Sequence, residues 1–188
     1  MFKPTFTQKI IGYLIVIGII TLITFAILYF QKGKGGSDVI QGKYAEDIQA
    51  NVLYPVTHVV DGDTLIANVA GHEVTIRLLG INTPETVDPR KPVECYGPEA
   101  SAEGKKLLIG KEVYIERETN REAYDKYGRV LAYVRLPDGT FYNQFMVEQG
   151  YAREYTFNNE KYTYQKDFKK AQAGAQKGKL GLWSACPI

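Results

Sequence analysis

Apolar residues fall along this chain in three regimes. Ile10 to Phe30 is almost continuously apolar and carries no charge and no proline. Gln31 to Ala50 contains Lys-Gly-Lys-Gly-Gly-Ser and is then mostly polar. From Tyr54 onward apolar and polar positions alternate in short runs broken by turn residues. Val56 to Val60 reads as a strand, Asp61-Gly62-Asp63 as a turn, and Thr64 to Val69 as a second strand. Ala70-Gly71-His72 turns again and Glu73 to Leu79 returns, giving a three-strand meander. Alternation in Thr75-Ile76-Arg77-Leu78 puts Ile76 and Leu78 on one face and Arg77 on the other. A loop with three prolines runs from Asn82 to Gly97. Pro98 to Ile109 reads as a helix with Pro at its first position and Gly110 beyond its end. Glu112 to Glu116 and Val130 to Leu136 read as strands. Phe141 to Gln149 and Glu160 to Lys177 read as helices, each closed by glycine. Five short strands and three helices predict an α+β domain, a small β-barrel with helices packed on it.

The apolar run changes the organisation. About 20 residues at 1.5 Å each span a bilayer core of about 30 Å, and Tyr13, Tyr29 and Phe30 sit near its ends, where aromatic rings favour the interface. A cleaved signal peptide is the alternative, but its apolar core is shorter and ends in small residues, whereas Ala26-Ile27-Leu28 is followed by Tyr29-Phe30. The expected order is a tail over 1–9, a single transmembrane helix over 10–30, a linker over 31–53 and a domain over 54–188. Lys3 and Lys9 on one side nearly balance Lys32 and Lys34 on the other, so charge does not fix the orientation.

Between Tyr54 and Ile188 there are 18 Lys and Arg against 18 Asp and Glu. Bulk charge therefore gives no argument for binding a polyanion, and any such argument rests on where particular cations sit. The chain has two cysteines, Cys95 and Cys186, too few for a zinc set with no histidine nearby. They are two separate buried thiols or, if the domain is exported, a disulfide tying the tail to the segment before the first helix.

Four segments carry candidate chemistry. Asp61-Gly62-Asp63-Thr64 offers two carboxylates, although Asp-Gly is also a common turn. Arg77 to Glu85 delivers a guanidinium from a strand, then Asn82, Thr83 and Glu85 from a loop. In Asp125-Lys126-Tyr127-Gly128-Arg129 the glycine permits a tight turn that can aim Arg129 inward; otherwise it is a solvated charged loop. Tyr151, Tyr155 and Phe157 form an aromatic group that is otherwise core packing. Carboxylate, amide and carbonyl oxygens suit Ca²⁺. Two arginines can each fork onto a phosphate, and a carboxylate beside the metal can take a proton from water.

His58 to Thr64, Arg77-Leu78-Leu79 with Thr83-Pro84-Glu85, Tyr96 to Ser101, Asp125 to Arg129 and Leu182-Trp183-Ser184 together resemble the staphylococcal nuclease (thermonuclease) family. Each motif is weak alone; five in the family's order, over Tyr54 to Ser184, are specific. The resemblance implies a five-stranded OB-fold with three helices and Ca²⁺-dependent hydrolysis of DNA and RNA that leaves 3′-phosphate ends. By position it implies Asp63, Asn82 and the Thr83 carbonyl as calcium ligands, with Asp61 reaching the metal through water. Glu85 matches the carboxylate that orients or deprotonates water, and Arg77 and Arg129 match the pair on the scissile phosphate. Lys126 and Tyr127 match contacts to a neighbouring phosphate, and Tyr155 an aromatic beside the nucleotide. Three departures stand out: Asn82 where the family usually has Asp, Phe157 where well-known members have Tyr, and a neutral domain where those members are basic. An amide ligand implies weaker calcium affinity. The competing readings are an OB-fold module that binds nucleic acid with little or no cleavage, and a structural role at the cell envelope. The expected setting is a monomer on a single-pass anchor in the cell membrane, with its domain outside the cytoplasm.

Overall fold

The computed structural model describes residues 44–49, 51–119 and 122–187, together with the isolated helical positions 18, 21 and 24. Apart from those three positions, the expected transmembrane helix lies outside the described residues, among which no helix is long and apolar enough to cross a membrane. The chain divides into two units, Met1–Asp38 and Val39–Ile188. The second starts before the expected boundary at Tyr54. Ala45 and Ile48, assigned above to a linker, are buried in the core, and Tyr44 stacks on His72 with ring centroids 4.0 Å apart.

Strands β1 (Leu53–Asp61), β2 (Thr64–Val69) and β3 (His72–Leu78) form the expected antiparallel meander. β5 (Glu112–Arg117) and β6 (Val130–Arg135) complete a closed barrel in the order β1-β2-β3-β6-β5, with β3 and β6 parallel. The inward residues are the alternating apolar ones: Leu65, Ala67 and Val69 from β2, Val74, Ile76 and Leu78 from β3, and Val113 and Ile115 from β5. On β1 the pairing register shifts between Val56 and His58 and again between Val59 and Asp61. Such bulges bend a strand, as closing a five-stranded sheet requires.

A small second sheet pairs β4 (Ile81–Asn82) with β7 (Arg153–Glu154). Two-residue strands are too short to show alternation, so this pair leaves no pattern in the sequence. The helices are α1 (Gly97–Leu108), α2 (Tyr142–Glu148), α3 (Gln165–Gly178) and α4 (Leu182–Ala185). The expected count of three misses α4, a single turn. The third expected helix starts at Gln165 and not at Glu160, because Thr163 gives its N–H and its hydroxyl to the buried Glu118 carboxylate, at 2.8 and 2.7 Å. Burial pushes Glu118 up, but the bonds from Thr163 and Tyr133 prevail and hold it below its usual range. Tyr133, Phe141, Tyr164 and Phe168 pack as a cluster between barrel and α3.

Two buried polar groups on α2 fix the barrel's upper end. Asn143, fully buried, accepts the Val134 N–H and donates to the Leu79 carbonyl, both at 2.9 Å. The Tyr142 hydroxyl donates to the Gly62 carbonyl at 2.9 Å, bracing the β1–β2 turn from below. Past α2, Gly150 and Gly181 let two backbones touch: a Cβ on Gly150 would overlap the Leu180 carbonyl, and one on Gly181 the Gly150 carbonyl. Gly150 is also at φ +74°. Gly150→Ala should therefore cost roughly 3 kcal/mol of stability through strain and overlap, read as a lower denaturant midpoint with an unchanged slope; an unaltered midpoint would refute the close contact.

Candidate active site

The β1–β2 turn, β3 and β4 meet at one end of the barrel. Asp63, 5% exposed, is gripped from three sides. Its Oδ1 accepts the Thr64 hydroxyl at 3.1 Å. Its Oδ2 accepts the Thr83 N–H at 2.7 Å and the Thr83 hydroxyl at 3.1 Å, and lies 3.2 Å from Arg77 Nη2. Arg77 projects from the β3 face that alternation assigned to it. Its Nη1 donates to the carbonyls of Leu78 and Ile81, at 2.8 and 3.0 Å, and its Nη2 to Asn82 Oδ1 at 3.1 Å. Asp61 Oδ1 accepts the Asp63 N–H at 3.0 Å. Burial, and then the neighbouring Asp63 charge, raise the Asp61 carboxyl from an ordinary 3.8 to about 7, against the pull of the Asp63 N–H and Arg77.

This arrangement fits a hard cation. Asp63 Oδ2 and Asn82 Oδ1 converge on one positive group, Arg77 Nη2, and burial and the Asp63 charge disfavour ionisation of Asp61 beside them, which a cation there would favour. The donors are carboxylate and amide oxygens, the set that Ca²⁺ or Mg²⁺ accepts. Among the described residues no three His, Cys, Asp or Glu side chains gather as a metal cluster. Asn82 offers an amide oxygen and no charge, so a divalent ion here would meet one negative charge fewer than with an acid at that position.

Glu85 lies just beyond, on the loop after β4. Its Oε1 accepts three successive backbone N–H groups, from Thr86, Val87 and Asp88, at 2.9, 2.8 and 3.1 Å. The Val87 bond chiefly, then those of Asp88 and Thr86, overcome partial burial and hold the carboxyl below its usual range. All three bonds fall on Oε1, which leaves Oε2 to face a further partner. The Glu85 N–H donates to Glu94 Oε2 at 3.1 Å, and the Glu94 N–H returns to the Glu85 carbonyl at 2.9 Å. The next residue, Cys95, is bonded to Cys186, with Cα atoms 5.8 Å apart. The loop that carries Glu85 is thus closed at its base and tied to the C-terminal segment.

Arg129 reaches the same side by register. Arg77 on β3 pairs with Leu131 on β6, and Arg129 precedes Leu131 by two residues, so both arginines share the sheet's outer face. Asp125 aims Arg129 by accepting its Nε at 2.6 Å, while Gly128, at φ +78°, turns the chain between them. Tyr127, 68% exposed, has Lys126 Nζ 4.9 Å and the Arg129 guanidinium 5.4 Å from its ring centre. Tyr155 and Phe157 are exposed rings with centroids 6.4 Å apart, and the Tyr155 N–H donates to the Gly80 carbonyl at 2.9 Å, beside β4. Tyr151 is different: it stacks on Tyr96 and Phe145 and belongs to the packing.

Two contributors escaped the sequence reading. Nothing local to Tyr142 signals its bond to Gly62. Glu94 had a visible signal, an acid adjoining a cysteine at the far end of the Glu85 loop.

With the geometry in place, comparison with known proteins gives a consistent result. Residues 75–185 match the family model described as staphylococcal nuclease homologue. A thermonuclease of Staphylococcus hyicus is 41% identical over 131 residues, covering 70% of this chain and 75% of that protein. A thermonuclease of Staphylococcus intermedius is 39% identical over 166 residues, covering 88% of this chain and 94% of that protein. The SPbeta prophage-derived endonuclease YokF of Bacillus subtilis (strain 168) is 39% identical over 127 residues, 66% of this chain but only 42% of the relative.

The raised Asp61 carboxyl has a consequence for stability. Between about 4 and about 7 the folded chain holds a proton that the unfolded chain has released, so this group's contribution falls as pH rises through that window. In chelator, Asp61→Asn should flatten the pH dependence of the urea midpoint there. An unchanged profile would mean that Asp61 ionises normally.

Proposed function

The chain belongs to the staphylococcal nuclease family, and we propose that it is a calcium-dependent nuclease that hydrolyses phosphodiester bonds in DNA and RNA, leaving 3′-phosphate ends. The observation that carries this reading is the convergence of Asp63, Thr83, Asn82 and Arg77 at one end of the barrel, with Glu85 on the adjoining loop. Asp63, Asn82 and the Thr83 carbonyl would hold the ion, with Asp61 behind them. When bound, calcium would stabilise the negative charge that builds on the phosphoryl oxygens.

The protein's own groups supply the rest. Nη1 of Arg77 is fixed to two carbonyls and Arg129 is aimed by Asp125, so both guanidiniums are oriented before a phosphate arrives. Glu85, kept ionised by three N–H groups, presents Oε2 to the attacking water. Its lowered pKa suits orienting that water better than storing its proton. Lys126 and Tyr127 grip a neighbouring phosphate, and Tyr155 lies against a base. The second reading, a module that binds without cutting, is favoured by Asn82 alone.

Location is part of the proposal. The apolar run over 10–30 anchors the chain in the cell membrane, and the domain faces outside, where the Cys95–Cys186 bond persists. Protease added to intact cells should remove the domain; protection would reverse the orientation.

The activity is tested with the full-length chain in neutral detergent, on DNA and RNA strands, across a calcium titration with chelator controls. Cleavage should rise with calcium and stop with chelator. Arg129→Ala and Glu85→Gln should each lower turnover by about 10²–10³-fold, and Asn82→Asp should reduce the calcium needed for half activity. Binding without cutting under every divalent ion tried would select the second reading.

A further inference from the structure

The domain's neutrality hides an uneven placement of charge. Beyond Gly150 there are seven Lys and Arg against three Asp and Glu. Four of the seven, Lys166, Lys169, Lys170 and Lys177, stand on α3. At 3.6 residues per turn their spacing of i, i+3, i+4 and i+11 puts them in one stripe, opposite the buried Phe168 and Ala175. All four are exposed, and among the described residues none takes part in an ion pair. Lys170 borders the α2–α3 groove, which Asp167 and Glu148 share, so the other three carry the least compensated charge.

The stripe adjoins the candidate site. Gln165, Lys169 and Gln172 form one row along the helix at i, i+4 and i+7. Gln165 Nε2 donates to Thr156 Oγ1 at 2.7 Å, and the Glu154 N–H donates to Gln172 Oε1 at 2.8 Å. Lys169, between the two glutamines, therefore borders the segment that carries Tyr155, whose exposed ring neighbours that of Phe157. Rings followed by spaced cations are what a single strand requires: bases stack on the rings while phosphates follow the charges. From Lys166 to Lys177 the helix advances about 16 Å, enough for several phosphates.

We propose that the lysine stripe of α3 is an extended nucleic-acid contact surface, which continues from Tyr155 and Phe157 and holds the strand beyond the bond being cut. It rests on the nuclease reading above. A phospholipid surface fits the stripe less well. A helix lying on a membrane sinks a free apolar face below the headgroups, and the apolar face of α3 is spent on the core.

The test compares the full-length chain with K166Q/K169Q/K170Q/K177Q and with the same four positions changed to Arg. Binding of a 20-nucleotide single strand is followed in chelator at several salt concentrations, and cleavage is followed on a dinucleotide and on the 20-mer with calcium. The glutamine variant should cut the dinucleotide as the parent does, show a KM for the 20-mer raised roughly tenfold, and lose up to about 3 from its salt slope, at about 0.7 per phosphate contact. The arginine variant should behave like the parent. Equal 20-mer affinity and slope in parent and glutamine variant would overturn the proposal. So would a loss confined to binding vesicles of anionic phospholipid. If the parent cuts neither substrate, the nuclease reading fails, while the binding slopes still decide the stripe.

Discussion

Asp63 lies almost wholly out of water and is paired with Arg77, and an ionised carboxylate in that position is tolerated only where donors replace its lost solvation. Here those donors come from different parts of the chain. Thr64 belongs to β2, Arg77 to β3 and Thr83 to the loop after β4. Satisfying one side chain thus fixes the turn, the strand and the loop relative to each other. Arg77 extends the same constraint to Asn82 and to the carbonyls that precede it. The need to solvate one buried charge and the assembly of the site are one problem with one solution, and the apolar barrel supplies the low-polarity surroundings that make the constraint strict.

The rest of the site is held in graded fashion. Asn143 and Tyr142 on α2 brace the β3–β4 turn and the β1–β2 turn from inside the core, through bonds to Leu79 and Gly62 that water cannot replace. Glu85 rides on a longer loop, with no core of its own, and is secured by bonds between its backbone and the carboxylate and N–H of Glu94 and by the covalent link at Cys95. The Asp125–Arg129 loop is held by bonds within itself, the Asp125 carboxylate accepting the Tyr127 and Arg129 N–H groups and the Arg129 guanidinium, while the Tyr155 and Phe157 rings are exposed.

Much of this was legible in the sequence. Alternation about Ile76 and Leu78 marked both the barrel strand and the outward face of Arg77, and five motifs in order pointed to the family. What was not legible depends on partners distant in the chain. The late start of α3 follows from Thr163 binding Glu118, 45 residues away. The β4–β7 pair is too short to carry a pattern. The packing of Ala45 and Ile48 on the domain could not be seen in a segment whose glycines and lysines read as a tether. The bond between Arg77 and Asn82 is likewise tertiary: it shows that the residue replacing the family's usual acid still accepts a hydrogen bond from the neighbouring cation.

A body whose charges cancel in sum but not in place behaves differently from a basic one. From afar it has no monopole for a polyanion to attract, and in physiological salt fields between separated charges fade over about 8 Å. What survives at short range is a torque, because the lysine-bearing side of α3 is drawn inward while the acidic remainder is turned away. Encounter with a charged polymer is then set by diffusion and alignment more than by long-range capture, so ionic strength should act on how long a strand stays more than on how often it arrives.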